Sequence, residues 1–209
     1  MTQRQPTRAA GGFTLLAVLA FTLVCTAVQF LRTDLDWMRV PLSFYLIGPH
    51  AAWARGAYLL LGLGLAVFGL GWYRALAPRA RSFAPALLFV VSGMALGVTA
   101  FATTNTWAHP ATLHGFVHDV AAQTSFLCVT VGMLLLGWRL RRDPRWRALH
   151  LPAFAGAAAC FAALWLQGLW RNAPRGLTQK ALILALLAWL ASMAWFLYKN
   201  KHKEYHLFD

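Results

Sequence analysis

Six apolar stretches, each about as long as a bilayer is thick, divide this chain almost from end to end. A helix rises 1.5 Å per residue, so crossing about 30 Å of hydrocarbon takes about 20 mostly apolar residues. Stretches at residues 13–31, 53–72, 84–103, 113–138, 151–170 and 177–198 meet that length. They are apolar on all sides of the helix, which a soluble fold could not hide, and 59% of the chain is hydrophobic. Transmembrane β-strands would alternate polar and apolar residues over segments of about ten, and no such alternation is present. The sequence therefore predicts an all-α, polytopic membrane protein: a six-transmembrane-helix bundle over 13–198, an N-tail over 1–12 and a basic C-tail over 199–209. The first stretch is long for a signal-peptide core, and no small-x-small site precedes Arg32, so it is read as an uncleaved span.

Lys and Arg give the orientation. Thirteen of the 19 lie in the N-tail, the second and fourth connections and the C-tail, with Arg139, Arg141, Arg142, Arg145 and Arg147 together in the fourth. Basic residues are retained on the cytoplasmic side, so both termini are expected in the cytoplasm and the protein in the cell's inner (plasma) membrane. The formal charge of +13 is then a topogenic ladder that also meets anionic lipid headgroups on the cytoplasmic side. It does not point to nucleic acid. Membrane lipids, with protein neighbours in the bilayer, are the expected partners. Trp37, Trp53, Trp107 and Trp170 fall near one boundary, and Trp72, Trp138, Trp146 and Tyr198 near the other, where amphipathic rings favour the interface. Gly62, Gly64, Gly69, Gly71, Gly93 and Gly97 are spaced for close helix approach. Cys25, Cys128 and Cys160 lie inside spans and read as small hydrophobes.

The first connection, from Arg32 to about Ala52, is too apolar for a free linker and too Pro-broken to span. It is expected to be an interfacial or re-entrant segment that caps the outer mouth of the bundle. The polar residues within spans collect toward that side: Gln29, His114, His118, Asp119, Gln167, Gln179 and Lys180, with Ser92, Thr99 and Thr103 as a stripe on the third span. Ionisable groups at membrane depth are costly and mark a site by default. His114 and His118, four apart, share a helical face that Ser125 continues, while Asp119 shares a neighbouring face with Gln123.

The candidate outer-face site thus comprises His114, His118, Asp119, His50, His109, Gln179 and Lys180. One reading is polar packing glue, or a pocket for a headgroup or small ligand in a non-catalytic sensor or accessory protein. The alternative is a His/Asp membrane lipid hydrolase. His114 and His118 could ligate zinc there if His50, His109, Asp34 or Asp36 completed the three or four protein ligands required. No cofactor is predicted. Haem would need axial histidines on facing helices, and both mid-span histidines are on one helix.

Short motifs recur in order along the spans: Leu42-Ser43-x-Tyr45 followed by Gly48-Pro49, then Phe101-x-Thr103, Thr112-x-His114-Gly115-x-x-His118 and Gly176-Leu177-x-x-Lys180. On these the chain resembles the bacterial and archaeal membrane family catalogued as domain of unknown function 998. The resemblance implies a fold and no reaction. It also implies acids where this chain has Phe44, Thr104-Asn105 and Gln179. Without a charge at Gln179, Asp119 is the expected partner of Lys180.

Overall fold

The computed structural model describes residues 4–105, 111–170 and 172–199. Six helices carry the chain: α1 (Arg4–Leu31), α2 (Ala51–Ala75), α3 (Phe83–Phe101), α4 (Leu113–Leu140), α5 (His150–Leu169) and α6 (Arg175–Lys199). All six contain a stretch long and apolar enough to cross a membrane. The local chemistry sets their starts. Thr112 caps α4 by accepting the Gly115 N–H at 3.0 Å. Pro85 and Pro152 sit in the first turns of α3 and α5, where a missing N–H costs nothing. At the turn into α2, Gly48 takes φ +77° and His50 takes φ +62°.

Successive helices run antiparallel and pack as neighbours, and α1 closes the ring against α6. A Cβ at Gly11 of α1 would stand 2.6 Å from the Tyr198 backbone nitrogen of α6, so the start of the first helix abuts the end of the last. Large apolar side chains such as Leu16, Leu63, Met94 and Leu184 face outward from the bundle, as lipid-facing residues do. The closest helix crossing is that of α2 and α3 at Gly62 and Gly93, where a Cβ on Gly93 would fall 2.2 Å from the Gly62 carbonyl oxygen.

The half of the bundle nearer the termini is tightly filled. Phe68, Phe89, Met133, Leu136 and Leu140 are almost fully buried. Phe68 meets Phe89 edge-on at 5.0 Å and Trp189 at 6.1 Å. Trp72 and Trp146, expected at the interface, belong instead to this core, edge to face at 5.0 Å. The connections above them fold inward and seal this end: the buried Asp143 accepts the Ala77 N–H at 2.7 Å and the Arg145 N–H at 2.9 Å, and the Arg139 guanidinium donates to the Ala80 and Arg81 carbonyls. The other aromatic residues of the two predicted belts are exposed where described, and Trp107 lies outside the described residues.

At the opposite end the first connection is strapped onto the bundle. Its 3-10 turn, Leu42–Leu46, buries Leu42, Tyr45 and Leu46. The start of α6 holds it in place. The Gly176 and Leu177 N–H groups donate to the Arg39 and Met38 carbonyls at 3.1 and 2.9 Å, and Gln179 Oε1 accepts the Leu42 N–H at 2.9 Å. Only glycine fits at 176, where a Cβ would stand 2.5 Å from the Val40 carbonyl oxygen. Arg32, nearly buried, grips the connection from the other side. It donates to both carboxylate oxygens of Asp34 at 2.8 Å and to the Ile47 carbonyl at 2.6 Å. That paired hydrogen bond holds the Asp34 carboxyl below the usual carboxylate range and pushes the Arg32 guanidinium up.

Candidate functional site

Between the strapped end and the sealed end lies a cavity of about 720 Å³. It forms because α5 fully buries side chains only along its first half. Near its start Ala153, Ala157 and Cys160 are buried, whereas no residue of 161–169 is. That second half stands off from α4 and α6, leaving Trp165 56% exposed and Leu127 of α4 45% exposed along the gap. The deep wall is apolar, built by Leu65 of α2, Val129 of α4 and Leu187 and Leu190 of α6. Below it stand Phe68, Met133 and Trp189 of the filled half. The mouth is polar, bordered by Ser43, Asn105, Gln167, Gln179 and two arginines, Arg39 and Arg175.

Of the predicted site residues, the structure brings His118, Asp119 and Gln179 to this cavity and leaves others elsewhere. His118 is 2% exposed, and its Nδ1 lies 2.8 Å from the Ala102 carbonyl oxygen. A carbonyl only accepts, so Nδ1 carries the proton in this bond. The bond ties α4 to the end of α3, because Ala102 already has extended geometry and its carbonyl has left the helical ladder. His114 is exposed, although it shares the predicted face. It lies one turn nearer the start of α4, level with chain that has passed the end of α3 at Phe101, and meets no packed wall.

The same early end of α3 takes Thr103 off the expected stripe, while Ser92 and Thr99 stay buried. Ser92 and Ser125 bond reciprocally across α3 and α4, each hydroxyl reaching the other residue's carbonyl, at 2.9 and 3.1 Å. His50 is exposed, its ring 5.1 Å from that of Trp53. His109 lies outside the described residues.

Lys180 overturns one expectation. It makes no ion pair with Asp119; its ammonium donates to the Trp37 and Val40 carbonyls and lies 5.4 Å from the centre of the Tyr45 ring. The strap presents bare carbonyls at the first turn of α6, and a nearby cation satisfies them. Among the described residues no three His, Cys, Asp or Glu side chains come together as a metal site would require. His118 faces inward, His114 outward, His50 sits on Trp53, and Asp34 is held by Arg32.

Arg39, Arg175 and Tyr58, which the sequence does not mark as site residues, also border the cavity. A basic pair flanking the strap on the charge-poor end was the available signal. Phe44, Thr104, Asn105 and Gln179, where the resemblance implies acids, all line this one cavity.

Fold and cavity together define a class: a multi-pass, all-α membrane protein with a cavity in one half of the bundle. Residues 15–196 match the family described as "Protein of unknown function (DUF998)", and the chain belongs to that family. No curated protein and no solved structure matches it.

Proposed function

We propose that this protein is a non-catalytic binding protein of the inner (plasma) membrane that holds a lipid-like amphiphile in its cavity, with both termini in the cytoplasm and the mouth in the outer leaflet. The single observation that carries the reading is the polarity gradient of the cavity, from Arg39, Arg175 and Gln167 at the rim to Leu65, Val129 and Leu190 at the base. Its volume falls within the roughly 300–1,000 Å³ usual for small-molecule pockets. Eleven residues of α6 separate Gln179 from Leu190, about 16 Å of helix rise. That is about one leaflet of a 30 Å hydrocarbon core. The stand-off of α5 gives a lipid chain a sideways entrance past Trp165. The bias of Lys and Arg toward the termini supports the orientation.

Replacing Ala122 on the cavity wall with Trp fills the space. The full-length protein, purified and exchanged into detergent, should carry about one lipid per chain by native mass spectrometry, and Ala122→Trp should lose it while keeping its melting temperature. Equal lipid content in the two proteins would refute the reading. For orientation, a reporter active only in the periplasm, fused after Asp209, should be silent; an active fusion overturns the topology.

A further inference from the structure

The rim of the cavity carries more positive than negative charge. Arg39 and Arg175 border it, and the one acid on its wall is Asp119. Asp119 lies on the second turn of α4, as Gln179 does on that of α6, while Arg175 opens α6 and Arg39 belongs to the strap, so two arginines face one acid around the mouth. Arg175 is exposed and has no ion-pair partner among the described residues. Arg39 is paired only loosely: its Nε lies 3.4 Å from Asp36, with the side chains 80% and 53% exposed. Such a pair is worth little and exchanges readily for a better anion. The remaining rim groups, Ser43, Asn105, Gln167 and Gln179, are neutral hydrogen-bonding side chains. The backbone N–H groups at the start of α6 are already given to the Arg39 and Met38 carbonyls, so an anion here would be held by side chains.

From this arrangement we infer that the bound amphiphile is anionic: a phosphate or carboxylate headgroup engages Arg39 and Arg175 while its acyl chain fills the apolar base. The inference rests on the cavity-binding reading and adds the charge of the ligand. Guanidinium groups favour these oxyanions because their planar N–H fork matches two oxygens at once. Attraction at an exposed rim is also screened by salt, so the preference carries an ionic-strength signature that chain burial lacks.

The test uses the full-length protein in neutral nanodiscs, titrated with oleoyl lysophosphatidic acid, with oleoyl lysophosphatidylcholine and with inorganic phosphate, and followed by tryptophan fluorescence. Lysophosphatidic acid should bind roughly tenfold tighter than lysophosphatidylcholine at low salt, with the gap closing toward 0.5 M salt, taken as roughly the regime where exposed charges are screened. The Arg39→Gln/Arg175→Gln double variant should bind both alike. Those changes remove positive charge from the charge-poor end, so the topogenic bias is strengthened. An Arg141→Gln/Arg142→Gln pair at the terminal end should leave the preference intact.

Should the double variant fail to fold, Gln179→Glu is the substitute. It keeps the oxygen that accepts the Leu42 N–H and adds one negative charge at the mouth. It should weaken lysophosphatidic acid by roughly tenfold while sparing lysophosphatidylcholine. Equal affinity for the two lysolipids, with both lost in Ala122→Trp, overturns the anionic inference and leaves the cavity reading standing. Binding that survives Ala122→Trp overturns the cavity reading itself. A preference that persists in the Arg39/Arg175 variant, or inorganic phosphate acting as well as the lysolipid, overturns the anionic-amphiphile assignment.

Discussion

Two glycines one helical turn apart on α3 should respond to the same substitution in opposite ways. A Cβ built on Gly93 stands 2.2 Å from the Gly62 carbonyl oxygen and 3.0 Å from its carbon, both backbone atoms that no rotamer change can move. Ordinary contact begins near 3.4 Å, so α2 and α3 would have to part by about 1 Å at their closest point. These helices share the most extensive interface in the bundle. A gap of 0.5–1 Å forfeits roughly a quarter to a half of each close atom–atom attraction of about 0.1–0.2 kcal/mol, so a few dozen affected pairs lose about 2–3 kcal/mol. Overpacking penalties of about 1–3 kcal/mol are of the same size. Helix propensity returns at most about 1 kcal/mol when alanine replaces glycine.

Gly93→Ala should therefore cost about 2 kcal/mol net. At Gly97 the nearest heavy atom to a new Cβ is the flexible Leu59 Cδ2 at 3.7 Å, so only the propensity gain remains. Gly97→Ala should be neutral or stabilising by up to about 1 kcal/mol. Reversible unfolding in mixed micelles, followed by far-ultraviolet circular dichroism, measures both. Indistinguishable variants, or Gly93→Ala within about 0.5 kcal/mol of the parent, would refute the close-crossing argument. The outcome bears on the cavity, because Ser92, beside Gly93, lines it and holds Ser125 across the wall.

Two further substitutions probe the two ends. Since Arg32 holds the Asp34 carboxyl below its usual range, the ionised carboxylate stabilises the fold above that range, and the contribution disappears as pH falls through the depressed value. Stability should thus fall more steeply below about pH 4 in the parent than in Asp34→Asn; parallel profiles would count against the Arg32 clamp. At the sealed end, Asp143→Ala strands the Ala77 and Arg145 N–H groups and should cost about 2–3 kcal/mol in the same unfolding assay, and a loss below about 0.5 kcal/mol would contradict the hub role.

Six helices long and apolar enough to span were legible because length and apolarity suffice to specify them, while α1 extends beyond its apolar stretch. That helix begins at Arg4 rather than at residue 13, as Gly11 and Gly12 let it run alongside the end of α6. The end of the bundle where polar side chains gather was also legible, since polarity within spans is rare and its position is simple counting. Which residues share a cavity was not. His114 and His118 have the same helical phase, yet the early end of α3 separates them by burial. Lys180 was expected to pair with Asp119 of α4, but two strap carbonyls lie within its reach. The cavity depends on where α5 leaves its neighbours, and Leu164, Phe126 and Leu127 look no different in sequence from residues that pack tightly. The Gly176-Leu177-x-x-Lys180 motif carries the family resemblance, and the fold shows its physical role: Gly176, Leu177 and Lys180 fasten the strap.

The one-sidedness of the cavity favours holding a ligand over passing it across. Anything leaving through the base would have to displace Phe68, Phe89 and Met133, all 0% exposed, together with Trp189, whose Nε1–H is bonded to the Ala153 carbonyl at 2.8 Å. Separating the edge-on contacts of Phe68 with Phe89 and Trp189 costs about 0.5–1.5 kcal/mol each, and a stranded indole N–H about 1–3 kcal/mol more. Beyond that layer lie Trp72 against Trp146 and the Asp143 and Arg139 bonds that tie the connections together. Phe68, Phe89, Met133 and Trp189 offer a travelling headgroup no ionisable side chain, so a charged ligand would pass them unpaired, at a cost greater than either step. The mouth faces a lower barrier: the second half of α5 contributes no fully buried side chain, and its Ala163 and Leu164 rest on the core only partly buried. On the proposed binding reading, a ligand would enter and leave by the same side, and the rim that meets its headgroup would be where ligands are selected.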